Sequence, residues 1–216
     1  MKLSAVLLAG GESRRFGGDK VTVLFEGQPL WRRQLDLLQS LAPAEILISS
    51  RTDPLWRPAN TRFVPDTVPS RGPLSGLVAA MARMQGTHLL ALAVDMPLMT
   101  GTLLRQICEL IQPGHGVMPY IGTRAEPLAA VYPHESLAHL AASLEIGEFS
   151  LQPVAGKLVR AGVLSVVEVS ESDRKFYRSI NEQSDLAAAY PSEEGATSSL
   201  EKRSISRSVT VTEANS

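Results

Sequence analysis

The residues best suited to chemistry lie between Leu7 and Lys20, LLAGGESRRFGGDK, where four glycines and three basic residues follow an apolar run. Gly10, Gly11, Gly17 and Gly18 let the main chain take positive φ and come close to a ligand, so that successive N–H groups can face the oxygens of a triphosphate. Arg14 and Arg15 offer flat, two-pronged grips on phosphate, and Lys20 a mobile point charge. Further along, Asp66 ends one short strand-forming run, Arg71 sits in the turn PSRGPLSG, Asp95 directly follows THLLALAV, and Asn181 follows FYRSI. Burying an unpaired carboxylate is costly, so a hard cation such as Mg²⁺ is the economical partner for Asp95. Helix capping is the other use for such an aspartate, but Thr100 is the better-placed cap for the helix that follows. Triphosphate donors, an oxygen ligand for a metal and room for an acceptor phosphate are what nucleotidyl transfer needs, and it needs no protein nucleophile.

Two familiar phosphate loops are excluded. A P-loop ends in Gly-Lys-Ser/Thr, whereas Lys20 here follows Asp19 and precedes Val21, and no stretch provides G-x-G-x-x-G opening a helix. His88, His115, His134 and His139 show no paired spacing with a carboxylate and are left out of the site. Cys108 is the only cysteine, which excludes a disulfide framework and a thiolate metal centre. A net charge of −1 over 216 residues argues against nucleic acid or an anionic membrane as partner. The first ten residues read as a strand without a cleavage-like site, and no apolar run reaches membrane-spanning length. A cytoplasmic protein is expected, and the sequence leaves the oligomeric state open, a monomer included.

These side chains converge only if parallel strands carry them to one sheet edge. Leu3–Leu8 reads as the first strand, Val21–Phe25 as a short β-rich run closed by the turn EGQP, and Pro29 to Leu41 as a helix. Continuous aliphatics make strands of Glu45–Ser49, Arg62–Val64 and Thr87–Val94, with helices from Leu74 to Met84 and from Thr100 to Gln112 between and after them. His115 to Tyr132 reads as two strands about a turn at Gly122, followed by a helix from Pro133 to Ile146. Phe149–Leu158 has no decisive period. Strands over Val163–Val169 and near Phe176–Ile180 and a short helix over Ser184–Tyr190 complete the expected domain, 1–190. Ten of the 26 residues from Pro191 to Ser216 are serine or threonine, which reads as a disordered tail. Truncation after Tyr190 is expected to leave activity and melting temperature nearly unchanged, and a large drop in either would show that the tail docks.

Leu-Ala-Gly-Gly-x-Ser-x-Arg-x-Gly-Gly-Asp-Lys resembles the signature of the molybdenum cofactor guanylyltransferases. VPD at Val64–Asp66, RGPLSGL at Arg71–Leu77, VDMPLM at Val94–Met99, EPLAAVY at Glu126–Tyr132 and SIN before SDL follow in that family's order. The resemblance implies a Rossmann-like three-layer α/β/α sandwich of the nucleotide-diphospho-sugar transferase type, with a mostly parallel sheet. It further implies transfer of GMP from Mg-GTP to the terminal phosphate of molybdopterin or molybdenum-molybdopterin, with release of pyrophosphate. By matching positions, Leu8, Ala9, Gly10, Gly11, Lys20, Asp66 and Asp95 would bind the nucleotide, Asp95 and Asn181 would hold Mg²⁺, and Lys20, Arg15 and Asp95 would carry the reaction. Ile48 stands where the family often has an asparagine that contacts the nucleotide, so Ser49 or Ser50 would have to supply that contact. Phe16 replaces a usual methionine, and Ser179 and EQS replace a usual asparagine and TPE. The rival readings are a related transferase using CTP or a sugar 1-phosphate, and a GTP-binding regulatory module without turnover.

Overall fold

The computed structural model describes residues 1–10, 20–66, 71–182 and 184–185, and the chain divides into two units, Met1–Ile180 and Asn181–Ser216. The expected tail lies outside the described residues; of the expected last helix, Ser184 and Asp185 are helical and the rest lies outside them too.

In the first unit β1, Leu3–Leu8, spans the stretch its aliphatics predict. The β-rich run after the glycine loop differs from expectation: Lys20–Thr22 forms a turn of 3₁₀ helix, and only Leu24–Phe25 is strand, β2. Glu26 and Gly27 both take positive φ, 52° and 74°, which reverses the chain into β3, Gln28–Pro29, in the sense that right-twisted hairpins favour. Helix α1, Leu30–Gln39, follows, and then β4, Glu45–Ser50, and β5, Arg62–Pro65. Gly72, at φ 75°, and Pro73 open α2, Pro73–Met81. Strand β6, His88–Ala93, is buried along its whole length and leads to α3, Gly101–Glu109, whose cap is Thr100, its hydroxyl accepting from the Leu103 N–H at 3.3 Å.

The second half supplies β7, Gly116–Ile121; the two-residue β8, Arg124–Ala125; β9, Ala129–Pro133; α4, Ser136–Glu145; α5, Leu151–Arg160; and β10, Leu164–Glu168. The undecided stretch from Phe149 is thus helical from Leu151. The strand expected near Phe176–Ile180 is instead a 3₁₀ turn, Arg174–Tyr177, after which the Ile180 N–H donates to the Asp95 carbonyl at 2.8 Å. Aromatic and β-branched side chains suggested a ladder there, but no strand among the described residues pairs with the segment.

The sheet order is β10-β7-β9-β6-β1-β4-β5, with β8 paired to β7. Strands β6, β1, β4 and β5 run parallel to one another, as does β10 to β7, while β9 runs antiparallel between β6 and β7. Both faces are covered, so the central strands read as unbroken aliphatic runs. Val6, Leu8, Leu47, Leu89 and Ala91 pack with residues of α2, α4 and α5, and the alternate residues Ala5, Leu7, Ile48, Leu90 and Leu92 are buried as well, on the face that α1 and α3 contact. The result is the expected three-layer α/β arrangement with a mixed, mostly parallel sheet. No helix among the described residues is long and apolar enough to cross a membrane.

Cys108, on α3, is half-buried, and its thiol is pushed up to about 11, chiefly by burial, with Glu109 raising it further and Arg105 opposing. Iodoacetamide at pH 8 is therefore expected to alkylate it roughly two orders of magnitude more slowly in the folded protein than in urea. Equal rates would show that the thiol is open to water.

Candidate active site at the carboxyl edge

Parallel pairing of β6, β1, β4 and β5 brings their carboxyl ends to one edge, where an open α/β sheet takes its ligands. The chain leaves β1 at Ala9, whose N–H donates to the Ser49 carbonyl at 2.9 Å, and the Val94 N–H donates to the Leu8 carbonyl at 3.2 Å. These bonds splay the main chain of Leu8, Ala9 and Gly10 between the ends of β4 and β6. Asp66 is anchored in the same way, its N–H donating to the Ser50 carbonyl at 3.0 Å.

The Asp66 side chain is buried and accepts from the Ser49 hydroxyl at 2.6 Å, a charge-assisted bond that sequence reasoning did not identify. Two glycines make room for it. A Cβ on Gly10 would lie 2.6 Å from Asp66 Oδ2, and one on Gly76, in α2, would lie 2.6 Å from the Ser49 hydroxyl and 3.0 Å from Asp66 Oδ1. Gly76→Ala is therefore expected to push the Ser49–Asp66 pair apart and to destabilise the fold by about 1–3 kcal/mol, read by urea denaturation. An unchanged midpoint would show that the pair can shift freely.

Asp95 lies two residues beyond β6. Its Oδ2 accepts from Lys20 Nζ at 2.9 Å, with both side chains largely shielded from water. Its Oδ1 is buried and, among the described residues, has no hydrogen-bond partner. The main chain around it is held independently of the carboxylate. Ile180 donates to the Asp95 carbonyl, the buried Gln34 amide of α1 donates to the Met96 carbonyl at 2.7 Å, and Arg33 Nε donates to the Pro97 carbonyl at 2.6 Å. Arg33 is steadied in turn by Glu26 at 2.7 Å. The two side-chain supports come from α1 residues more than sixty positions away, and no local motif announces them.

A buried carboxylate oxygen without a partner beside an ammonium is a fit for a hard divalent cation. Mg²⁺ uses one or two carboxylates and completes its shell with phosphate oxygens and water, so a cage of protein ligands is not required. None is present: no group of three or more His, Cys, Asp or Glu among the described residues could hold a metal.

The other expected residues divide as follows. Gly11, Arg14, Arg15 and Phe16 lie outside the described residues. Arg71 is exposed, with its guanidinium 4.9 Å from the centre of the Phe149 ring, while its N–H donates to the buried Ser75 hydroxyl at 2.8 Å. Asn181 belongs to the second unit, where its N–H donates to Asp185 Oδ2 at 2.7 Å. Ile48 is wholly buried, Ser49 is bonded to Asp66, and the Ser50 hydroxyl donates to the Thr52 carbonyl at 2.7 Å. His88 lies at the opposite edge, its Nε2 facing the carbonyls of Gln112 and His115 at 3.0 and 3.2 Å, so that nitrogen carries the proton and the ring is structural.

This edge of a mostly parallel sheet, with the strand-end aspartates Asp66 and Asp95 and with Lys20, places the protein among the α/β nucleotidyltransferases. The chain belongs to the family of MobA-like NTP transferase domains, whose model matches residues 5–161. It is similar to the molybdenum cofactor guanylyltransferase of Pseudomonas putida, 31% identical over 176 residues that cover 80% of this chain and 90% of that one. A probable molybdenum cofactor guanylyltransferase of Opitutus terrae is 34% identical over 175 residues, covering 80% of this chain and 87% of that one. In fold it matches the molybdopterin-guanine dinucleotide biosynthesis protein A of Archaeoglobus fulgidus, with a TM-score of 0.67 at 22% identity over 90% of this chain and 99% of that one.

Proposed function

We propose that the protein transfers GMP from Mg-GTP to the terminal phosphate of molybdopterin or its molybdenum form, releasing pyrophosphate. The observation that carries this reading is the Asp95 carboxylate, with one oxygen on Lys20 Nζ at 2.9 Å and the other buried and unpartnered among the described residues. The naming of relatives as guanylyltransferases supports the choice of GTP over CTP or a sugar phosphate.

The acceptor brings its own nucleophile. A phosphate monoester loses its second proton near a pKa of about 6 and attacks at neutral pH without a protein base, which agrees with an edge that carries no histidine among the described residues. The Leu8–Gly11 main chain and the loop arginines, Arg15 among them, would orient the triphosphate. Asp66, fixed by Ser49, would bind the nucleoside portion. Asp95 would hold the divalent ion. Bound there, that ion would offset negative charge on the α-phosphate. Lys20 would meet the charge that grows on the departing pyrophosphate as the bond between the α-phosphorus and the bridging oxygen breaks.

Pyrophosphate release tests this reading, with purified protein, each of the four NTPs in turn, Mg²⁺ and molybdopterin. GTP alone should support release, only with the pterin present, and chelation of the metal should abolish it. Release with CTP instead would assign the chain to a cytidylyl reaction. GTP binding without release would make it a regulatory module.

A further inference from the structure

Between the Gly10 edge and the connection after β4 lies a cavity of about 150 Å³, lined by Ala9, Gly10, Val21, Ser50, Pro54 and Trp56 among others. It adjoins both halves of the site, since Gly10 abuts the Asp66 carboxylate and Val21 follows Lys20. The Trp56 ring stacks on Trp31 at the start of α1, with centroids 4.8 Å apart and planes inclined by 18°. The loop that bears Trp56 is internally clipped. Arg57 grips both oxygens of Asp53, at 2.6 and 2.8 Å, and donates to the Thr61 carbonyl at 2.7 Å, while the Thr61 hydroxyl closes onto the Pro58 carbonyl at 2.7 Å. An indole held in this way loses little conformational freedom when a ligand arrives.

We infer that Trp56, backed by Trp31, is the stacking surface for the base of the nucleoside triphosphate, an assignment that rests on the nucleotide-transfer reading above. Three observations meet there: a half-open cavity at the carboxyl edge beside Gly10, a tryptophan in its lining that is stacked on a second one, and a loop braced against collapse. Ile48 is buried and the Ser49 hydroxyl is bonded to Asp66, while Ser50, Arg51 and Thr52 give the cavity its polar lining and Trp56 brings an aromatic ring on which a base can stack.

The chain has two tryptophans, so Trp31→Phe leaves Trp56 as the single indole fluorophore and keeps an aromatic ring behind it. GTP should quench the emission of that variant, whereas inorganic tripolyphosphate with Mg²⁺, which occupies the phosphate edge without a base, should not. By calorimetry Trp56→Ala should raise the Kd for GTP about ten- to hundredfold, as expected for loss of base stacking, and leave the Kd for tripolyphosphate unchanged. Trp56→Phe should recover most of the affinity and decides the matter if the alanine variant fails to fold. Trp56 emission that saturating GTP leaves unmoved, or a folded Trp56→Ala protein that binds GTP like the parent, would overturn the assignment while leaving the nucleotide-transfer reading intact. A parent protein that binds neither GTP nor tripolyphosphate would remove both.

Discussion

Asp95→Ala is expected to lower turnover by about a hundred- to a thousandfold while leaving the fold and its melting temperature nearly unchanged. The two halves of this expectation have separate physical causes. Turnover falls because the variant loses both the oxygen on Lys20 and the buried oxygen that would ligate the metal, so negative charge at the α-phosphate is no longer offset. The fold persists because the loop is held by main-chain bonds, from Ile180 to the Asp95 carbonyl and from Gln34 and Arg33 to the next two carbonyls, and none of these uses the carboxylate. Asp95→Asn, which keeps the shape and one acceptor oxygen, should fare little better, because a neutral amide is a poor ligand for Mg²⁺ in place of a carboxylate. Steady-state kinetics beside thermal melts check both halves. Near-normal turnover in either variant would remove Asp95 from the mechanism.

Lys20→Ala should depress kcat more than it raises KM for GTP. A cation that met the triphosphate equally in the ground state and the transition state would change KM alone, whereas charge on the leaving pyrophosphate grows only as the α-phosphoryl bond breaks. Lys20 is well set for such a role, since it opens a 3₁₀ turn pinned by buried Val21 and by the bond from the Val23 N–H to the Lys20 carbonyl at 3.2 Å. Its backbone is therefore fixed while its ammonium, on Asp95 in this structure, has a flexible stem to follow the phosphates. Lys20→Arg should rescue only in part, because a planar fork differs from an ammonium in reach and hydration. Kinetics of both variants with GTP varied at saturating molybdopterin provide the measurement. An unchanged kcat with a raised KM would reduce Lys20 to a binding role and shift the leaving-group role to Arg14 or Arg15.

The parts of this protein that local chemistry dictates were legible in its sequence. Leu3–Leu8 and the run into Asp95 are aliphatic stretches with a single way to be buried, Thr100 caps the helix its position predicts, and parallel strands of this kind must carry Asp66 and Asp95 to a common edge. What escaped depends on partners remote in sequence. The Ser49 hydroxyl meets Asp66 only because β4 and β5 pair, and Gln34 meets Met96 only because α1 crosses the sheet to brace the loop after β6. Composition misled where tertiary context withheld a ladder: Val21 and Thr22 turn in a 3₁₀ helix, and so does the aromatic run at Phe176. Trp56 went unnoticed because an isolated tryptophan in a polar, proline-rich connection carries no local sign of the indole that stacks on it.

The most direct test of the proposed reaction follows the label. Enzyme, Mg²⁺ and molybdopterin are incubated with GTP carrying ³²P at either the α or the γ position, and the pterin product is separated from nucleotides. The α label should appear in a pterin dinucleotide that releases GMP on phosphodiesterase digestion, and the γ label should appear in pyrophosphate alone. An α label recovered only as free GMP or GDP, or a γ label on the pterin, would contradict transfer of a guanylyl group at this site.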